Sequence, residues 1–291
     1  MFISSNGALT AGREKANYSL FPYITDNLIH SSLNTTGPTT TIEIYKDNIK
    51  LDTWSPLSYL PSKHNVEKNL YKDALGDNIL FEEINKDLNI AFRYQWLTSR
   101  EYGFIKRTEL VNNSNEELSF KIIDGIQNIL PSGLDVQTQQ SLSNLSNAYK
   151  HSEIIKETKL GIFSLGSLIM DRPDPGEALN ANTVWVRSDI NFKPSLSSPN
   201  NTSTNIYDEV LTGVPGSYFI NSQITLKQNQ KAEWDIILDV NQNHKSVVAL
   251  NEKINFIKNE IDISIEQNQL SLIKYLGSAD GFQVTSSKNN T

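Results

Sequence analysis

Four histidines, His30, His64, His151 and His244, are the side chains in this chain whose ordinary proton affinity suits acid–base work near neutral pH. Such work needs a histidine or carboxylate held rigidly opposite a second titrating group. His30 follows "DNLI", His64 sits in the proline-flanked "PSKHN", and His151 and His244 fall in polar segments. None is expected mid-strand beside an aligned carboxylate, so each reads as a surface or loop histidine. Asp171 and Asp174 in "DRPDP" have the spacing of a calcium loop but lack further oxygen donors, and Pro173 and Pro175 argue for a rigid turn. Asp208 and Glu209 are adjacent, which on a strand would send them to opposite faces. Without cysteine, thiolate zinc sites, disulfides and cysteine nucleophiles are excluded. The chain also lacks a phosphate-binding G-x-x-x-x-G-K-S/T loop, a dinucleotide fingerprint and a G-x-S-x-G elbow. The expectation is no catalytic residue, no metal and no bound cofactor.

Partners are bounded by charge. With 26 basic and 33 acidic residues the net charge is -7, and no run of Lys and Arg interrupts that balance. A nucleic-acid or anionic-membrane partner would require a basic patch. No segment approaches the roughly 18 consecutive apolar residues of a membrane-spanning helix, and the start, "MFISSNGALTAGRE", lacks the basic end and apolar core of a signal peptide. Asn-X-Ser/Thr triplets at Asn17, Asn34, Asn112 and Asn144 are what an asparagine-rich chain contains by chance.

The elements that would position any site are strands. In "LNIAFRYQWL", Leu88, Ile90, Phe92, Tyr94 and Trp96 share a face opposite Asn89, Arg93 and Gln95. "YGFIKRTELVNNSNEELSFKIIDGIQNILPSG" reads as a hairpin: Phe104, Thr108 and Leu110 align before the polar turn Asn112–Asn115, and Leu118, Phe120 and Ile122 after it. "TIEIYKDNIKL" predicts a turn at Asp47-Asn48, and "SYFINSQITL" and "WDIILDV" alternate in the same way. About 240 residues in this mode predict a mainly β fold, a large two-sheet antiparallel β-sandwich over residues 1–243. Residues 137–157 read as a loop or short helix, and "KPSLSSPNNTSTN" (193–205) as a mobile, low-complexity loop.

From His244 the period changes. Val247, Leu250, Ile254, Ile257, Ile261 and Ile265 recur at steps of three and four, the stripe of an amphipathic helix. Leu270, Leu272, Ile273 and Leu276 suggest a further turn or helix, with Gly277 as its stop. These aliphatic residues must pack on the sandwich or on a body outside this chain, because each stabilises by roughly 1.5–3 kcal/mol when buried. Residues 244–277 are read as a helical linker and 278–291 as a polar tail.

"FISSNGALTAGRE" with "LFPYITDNLIH", the long segment from Tyr102 to Gly133, and "GSYFINSQITLKQNQKAEWDIILDV" together resemble the N-terminal sandwich domain of cellobiose-phosphorylase-like enzymes. The likeness spans most of Phe2–Val240 and contains no active-site motif. It implies a galactose-mutarotase-like super-sandwich, then a helical linker, then a catalytic (α/α)6 barrel. The chain would end where that barrel begins, leaving the general acid and the phosphate or water site outside it. Implied partners are the barrel, an oligosaccharide and a second copy of the chain. Inorganic phosphate would be a co-substrate of the whole enzyme, in the cytoplasm, where a sugar phosphate is retained.

In such enzymes sandwich loops reach the mouth of the barrel. The matching candidates for substrate contact are Arg13 and Glu14 in "TAGRE" and Tyr23 and Asp26 in "FPYITDN". An arginine can hold a phosphate or hydroxyl, and an aromatic ring can stack on a sugar; the alternative is a sheet-edge salt bridge and a partly buried Tyr. Two rival readings remain at this stage. One is a complete mutarotase-type epimerase; the other is a sugar-binding module with an exposed aromatic platform. For the module, Trp96 and Trp234 read as core and Trp54 and Trp185 are undetermined.

Overall fold

A computed structural model describes residues 1–25, 27–141, 143–167, 178–197 and 209–279. Strand-favouring alternation is realised as two large antiparallel sheets packed face to face. A short clip, β1 (Phe2–Ile3) with β2 (Leu9–Thr10), precedes β3 (Gly37–Lys46), β4 (Ile49–Trp54), β5 (Val66–Lys72), β6 (Ile79–Asn85), β7 (Ile90–Ser99), β8 (Gly103–Asn112) and β9 (Leu118–Ile129). Two short helices, α1 (Val136–Ser141) and α2 (Ser143–Ala148), lead into β10 (Lys150–Ile155), β11 (Leu160–Leu165), β12 (Asn180–Ser188), β13 (Phe192–Ser195), β14 (Val210–Thr212), β15 (Gly216–Leu226) and β16 (Lys231–Asn243). The larger sheet runs β14-β10-β11-β12-β16-β8-β7-β6-β5 and the smaller β13-β15-β9-β3-β4. Asp47 and Asn48, both at positive φ, make the tight turn between β3 and β4.

Three sequence expectations need correction here. The segment read as a hairpin is not one. β8 pairs with β7 and β16, whereas β9 pairs with β15 and β3, so the two strands lie in opposite sheets. The turn between them is a corner: the Asn112 side chain donates to the carbonyls of Glu116 and Leu226 and redirects the chain across the interior. The start of the supposed mobile loop, Phe192–Ser195, is an edge strand on β15, because a short run needs only one partner to order it. The rest of that loop from 198 to 205 lies outside the described residues. His151, placed in a polar segment, lies on β10 with its Nε2 3.6 Å from Glu153 Oε2.

The interior is built by alternation. Ile42, Phe92, Trp96, Phe120, Tyr218 and Trp234 are buried in one cluster between the sheets. It also contains charge. The Lys106 ammonium of β8 donates to both Asp124 carboxylate oxygens of β9, at 2.6 and 2.8 Å, and both side chains are fully buried. Thr40 Oγ1 and Trp234 Nε1 also donate to Asp124, each at 2.7 Å. A second polar tie crosses the interior where Trp54 Nε1 donates to Glu83 Oε1 at 2.9 Å.

The helical region folds back on the outer face of the nine-stranded sheet. α3 (His244–Lys253), a 3-10 turn (Ile254–Phe256) and α4 (Glu260–Ser278) replace the single stripe-bearing helix. Asn243 caps α3 by accepting from the Ser246 N–H. Ile254, Ile261 and Ile265 are buried against Leu97, Ile105, Leu160, Trp185 and Ile237, with Val247, Leu250 and Ile257 packed around them. The stripe therefore packs on the sandwich. Beyond it α4 continues with Leu270, Ile273 and Tyr275 exposed. No described helix is long and apolar enough to cross a membrane.

Candidate functional site

Register on the outer face of the large sheet creates order that no single strand carries. Phe81, Phe92, Leu110 and Trp234 point inward, so their neighbours point out. Cross-strand pairing then aligns Glu82 of β6, Arg93 of β7, Glu109 of β8 and Glu233 of β16 in one row. Two residues along, Tyr71, Leu80, Gln95, Arg107, Asp235 and Arg187 form a second row, from β5 across to β12.

Each charge in these rows is held. Arg93 donates through Nε to Glu82 and through a terminal nitrogen to Glu109 at 2.7 Å. Glu82 also accepts from Asn69 at 2.9 Å and from the Tyr71 hydroxyl at 3.2 Å. Burial alone would raise the Glu82 carboxyl, but the hydrogen bonds from Asn69 and Arg93 outweigh it and hold the group below its usual range. In the second row Arg107 and Arg187 both grip Asp235 and Asp262, and Asp262 belongs to α4. Burial again opposes ionisation of Asp262, and its hydrogen bonds from Arg187 and Arg107 prevail and keep its carboxyl low. The rows thus end in an ionic latch that holds the helix.

Two adjoining hollows open over the rows. One, about 480 Å³, is lined by Tyr71, Leu80, Glu82, Arg93, Gln95 and Glu109 among others. The other, about 460 Å³, has Arg187, Asp235 and Asp262 in its wall, and Arg107 and Glu233 line both.

The loop candidates occupy a different place. Arg13, Glu14 and Tyr23 line one cleft of about 270 Å³ beside the β1–β2 clip. Within it the Arg13 guanidinium donates to Asp239 Oδ1 at 2.5 Å and to the Arg100 carbonyl at 2.7 Å. Burial raises the Asp239 carboxyl more than Arg13 lowers it. Glu14 adopts a positive φ of 61°, and Tyr23 is exposed. Asp26 lies outside the described residues, as do Asp171, Asp174 and Asp208.

His64 is a loop residue but not a surface one. Its side chain is 8% exposed, with Nε2 3.3 Å from Asp52 Oδ2 and Nδ1 3.8 Å from Asp87 Oδ2. His30 and His244 are exposed, at a 3-10 turn and at the start of α3. His151 and Glu153 stand on one strand, side by side rather than facing each other across a gap. Among the described residues no cluster of three or more His, Cys, Asp or Glu side chains has the arrangement of a metal site. Trp54 and Trp185 are both buried, so neither offers an exposed platform.

Sequence reading identified Arg93 and Gln95 as outward residues but not the rows they join. Alternation gives a side chain's face, whereas the neighbour across the ladder depends on strand order, and here β16 enters between β8 and β12 from more than 40 residues away.

No family model and no curated protein matches the chain. Among solved structures it is similar to a protein described as a kojibiose phosphorylase, from the human microbiome, at 13% identity over 81% of this chain and 27% of that one, with a TM-score of 0.45. It is similar also to a polysaccharide lyase (11% identity, 80% of this chain and 30% of that one, TM-score 0.39) and to heparinase III (12%, 78% and 28%, 0.33). The chain spans 27–30% of the length of these structures.

Proposed function

We propose that this chain is the accessory β-sandwich domain of a carbohydrate-active enzyme, a glycoside phosphorylase or hydrolase acting on oligosaccharides. In this reading a neighbouring (α/α)6 barrel carries out the bond cleavage. The observation that supports it is the divided character of α4. Its first half buries Ile261 and Ile265 on the sandwich, while its second half presents Leu270, Ile273 and Tyr275 to solvent. A helix built in this way suits a connector whose far half is covered by a second body. The two-sheet architecture agrees with the galactose-mutarotase-like super-sandwich that the sequence resemblance implies. Arg13, Glu14 and Tyr23 would then lie in a loop cleft on the acceptor side of the barrel, with inorganic phosphate as co-substrate, a homodimer formed through the sandwich, and the cytoplasm as the compartment.

The test has two arms. An antibody against this chain should detect in source-cell lysate a protein several tens of kDa larger than 32.8 kDa. Incubated with inorganic phosphate and a panel of disaccharides, the chain alone should release neither sugar phosphate nor free sugar. Turnover by the chain alone, or a native band at its own mass, overturns the proposal.

A further inference from the structure

We propose that His64 Nε2 and Asp52 Oδ2 form a binding site for a divalent transition-metal ion, of which Zn2+ is the test case. Two observations converge on it. The imidazole is more than nine-tenths buried, yet its Nε2 makes no hydrogen bond to any described residue. A buried polar atom in that state is costly unless something else satisfies it. The atom it faces is a carboxylate oxygen. Asp52 uses Oδ1 to accept from the Thr53 N–H at 2.7 Å and from Lys63, which leaves Oδ2 turned to His64.

The spacing is that of two ligands of one ion. Zn2+ takes imidazole nitrogen and carboxylate oxygen at about 2.0–2.2 Å, so two ligands of a tetrahedral ion lie about 3.4 Å apart. Nε2 and Oδ2 are 3.3 Å apart. The far nitrogen is provided for as well. Asp87 Oδ2, which accepts from the Asn65 N–H at 2.9 Å, lies 3.8 Å from Nδ1. A carboxylate there favours a proton on Nδ1 and so keeps the Nε2 lone pair for the ion. Two carboxylates against the single ammonium of Lys63 also give the place a charge that suits a cation.

The nitrogen ligand selects the ion. Ca2+ and Mg2+ take oxygen donors, whereas imidazole suits Zn2+ and its neighbours in the first transition row. This is a smaller site than a three-ligand centre, which the described residues lack. Water fills the remaining positions, and the ion enters past Lys63, whose side chain is 63% exposed. Its effect is mechanical. Asp52 belongs to β4 of the smaller sheet, Asp87 follows β6 of the larger, and His64 stands near the end of the crossover between β4 and β5. A bound ion closes residues 52–64 into a loop and ties that crossover down.

The inference does not depend on the accessory-domain reading, which is judged by turnover and native mass, so either can fail alone. The experiment is calorimetric titration of the tag-free chain with ZnCl2 in a non-chelating buffer, with Tm recorded in parallel. The expected result is saturable binding of one ion per chain and a raised Tm that EDTA reverses, with no response to Mg2+ or Ca2+. His64→Gln and Asp52→Asn should each abolish it, and Asp87→Asn should weaken it roughly 10- to 100-fold. Lys63→Met should strengthen it, a gain that a plain Lys63–Asp52 ion pair does not give. His151→Gln, at the pair of His151 with Glu153, should leave it intact. Circular dichroism checks the fold of each variant, and one readout needs no variant. In NMR of the imidazole nitrogens, Zn2+ should move Nε2 of His64 and not the nitrogens of His30, His151 or His244. Absence of saturable binding overturns the inference. So does binding that survives His64→Gln and Asp52→Asn, and so does a Zn2+ response confined to another histidine.

Discussion

Lys106 and Asp124 lie 18 residues apart on consecutive strands, yet they meet at 2.6 Å across the interior because those strands belong to opposing sheets. Burial holds the Lys106 ammonium below its usual range against the pull of Asp124. The pair ties the sheets together at a place where Thr40 and Trp234 also converge on the carboxylate.

Breaking this pair from one side should be costly. Lys106→Met leaves a buried carboxylate without its cation, and the expected loss is roughly 3–5 kcal/mol in urea unfolding. A loss below about 1 kcal/mol would mean that Thr40 and Trp234 suffice to hold the charge.

Removal of residues 245–279 should do more than trim a linker. It uncovers Leu97, Ile105, Trp185 and Ile237. The three isoleucines lost, Ile254, Ile261 and Ile265, stabilise together by roughly 5–9 kcal/mol as an upper figure. That is comparable to the whole stability of many domains. Aggregation or a much lowered Tm is expected, and a truncated sandwich with unchanged Tm would refute the packing role.

The latch between Arg107, Arg187 and Asp262 is partly exposed, so its worth is modest. Asp262→Asn should cost about 1 kcal/mol and speed amide exchange in α4 more than in β8. Because the Asp262 carboxyl is held low in the fold, its contribution is present above the ordinary carboxylate pKa and fades as pH falls through the lowered value. Protection of the α4 amides, taken relative to their intrinsic exchange rate at each pH, should accordingly fall in acid for the parent chain and change less for the variant.

The turn between β5 and β6 should respond in the opposite sense. Burial, with a hydrogen bond shared with Asp73, pushes the Asp77 carboxyl up to about 6. A carboxyl raised in the fold contributes stability that is present below its unfolded pKa and lost as pH rises through the folded one. Asp77→Asn should therefore gain stability relative to the parent between pH 4 and 7, and the Asp77 carboxyl carbon should titrate near 6 by NMR. Titration near 4 would exclude the shared proton.

Gly103 opens β8 at a φ of +83°, and a Cβ there would lie 2.4 Å from the Leu238 carbonyl and 2.8 Å from Asp239 Oδ1. Gly103→Ala should cost more than about 1 kcal/mol and disturb Asp239, the partner of Arg13. A variant as stable as the parent would show that the β8–β16 ladder adjusts freely.

How much of this was legible in the sequence varies with the range of the interaction involved. The face assigned to Phe92, Tyr94 and Trp96 and the turn at Asp47-Asn48 follow from local periodicity and the structure has both, while the stripe from Val247 to Ile265 packs on one face but is split between two helices and a 3-10 turn, not carried by one helix. The supposed hairpin of β8 and β9 failed because alternation is identical whether a strand pairs with its neighbour or crosses to the other sheet. Lys106 shows the same limit. Set between Phe104 and Thr108 it shared their inward face, but its partner lay in a strand that sequence reading placed beside it in one sheet. Nor does periodicity reveal that Glu82, Arg93 and Glu109 stand in one row, since that depends on which strands adjoin.

Open sheets have rims, and among the described residues the two large sheets have four: β5 and β14 on the larger, β4 and β13 on the smaller. An unpaired rim invites another chain to extend the ladder. Here β14 has three residues, β13 carries Pro194, which cannot donate to a neighbour, and β5 and β4 carry Lys68, Lys72 and Lys50 along their length. Growth by strand addition is thus discouraged at each of these four rims. A contact made through a sheet face or the open half of α4 would, by contrast, end at a defined assembly instead of propagating into a fibre.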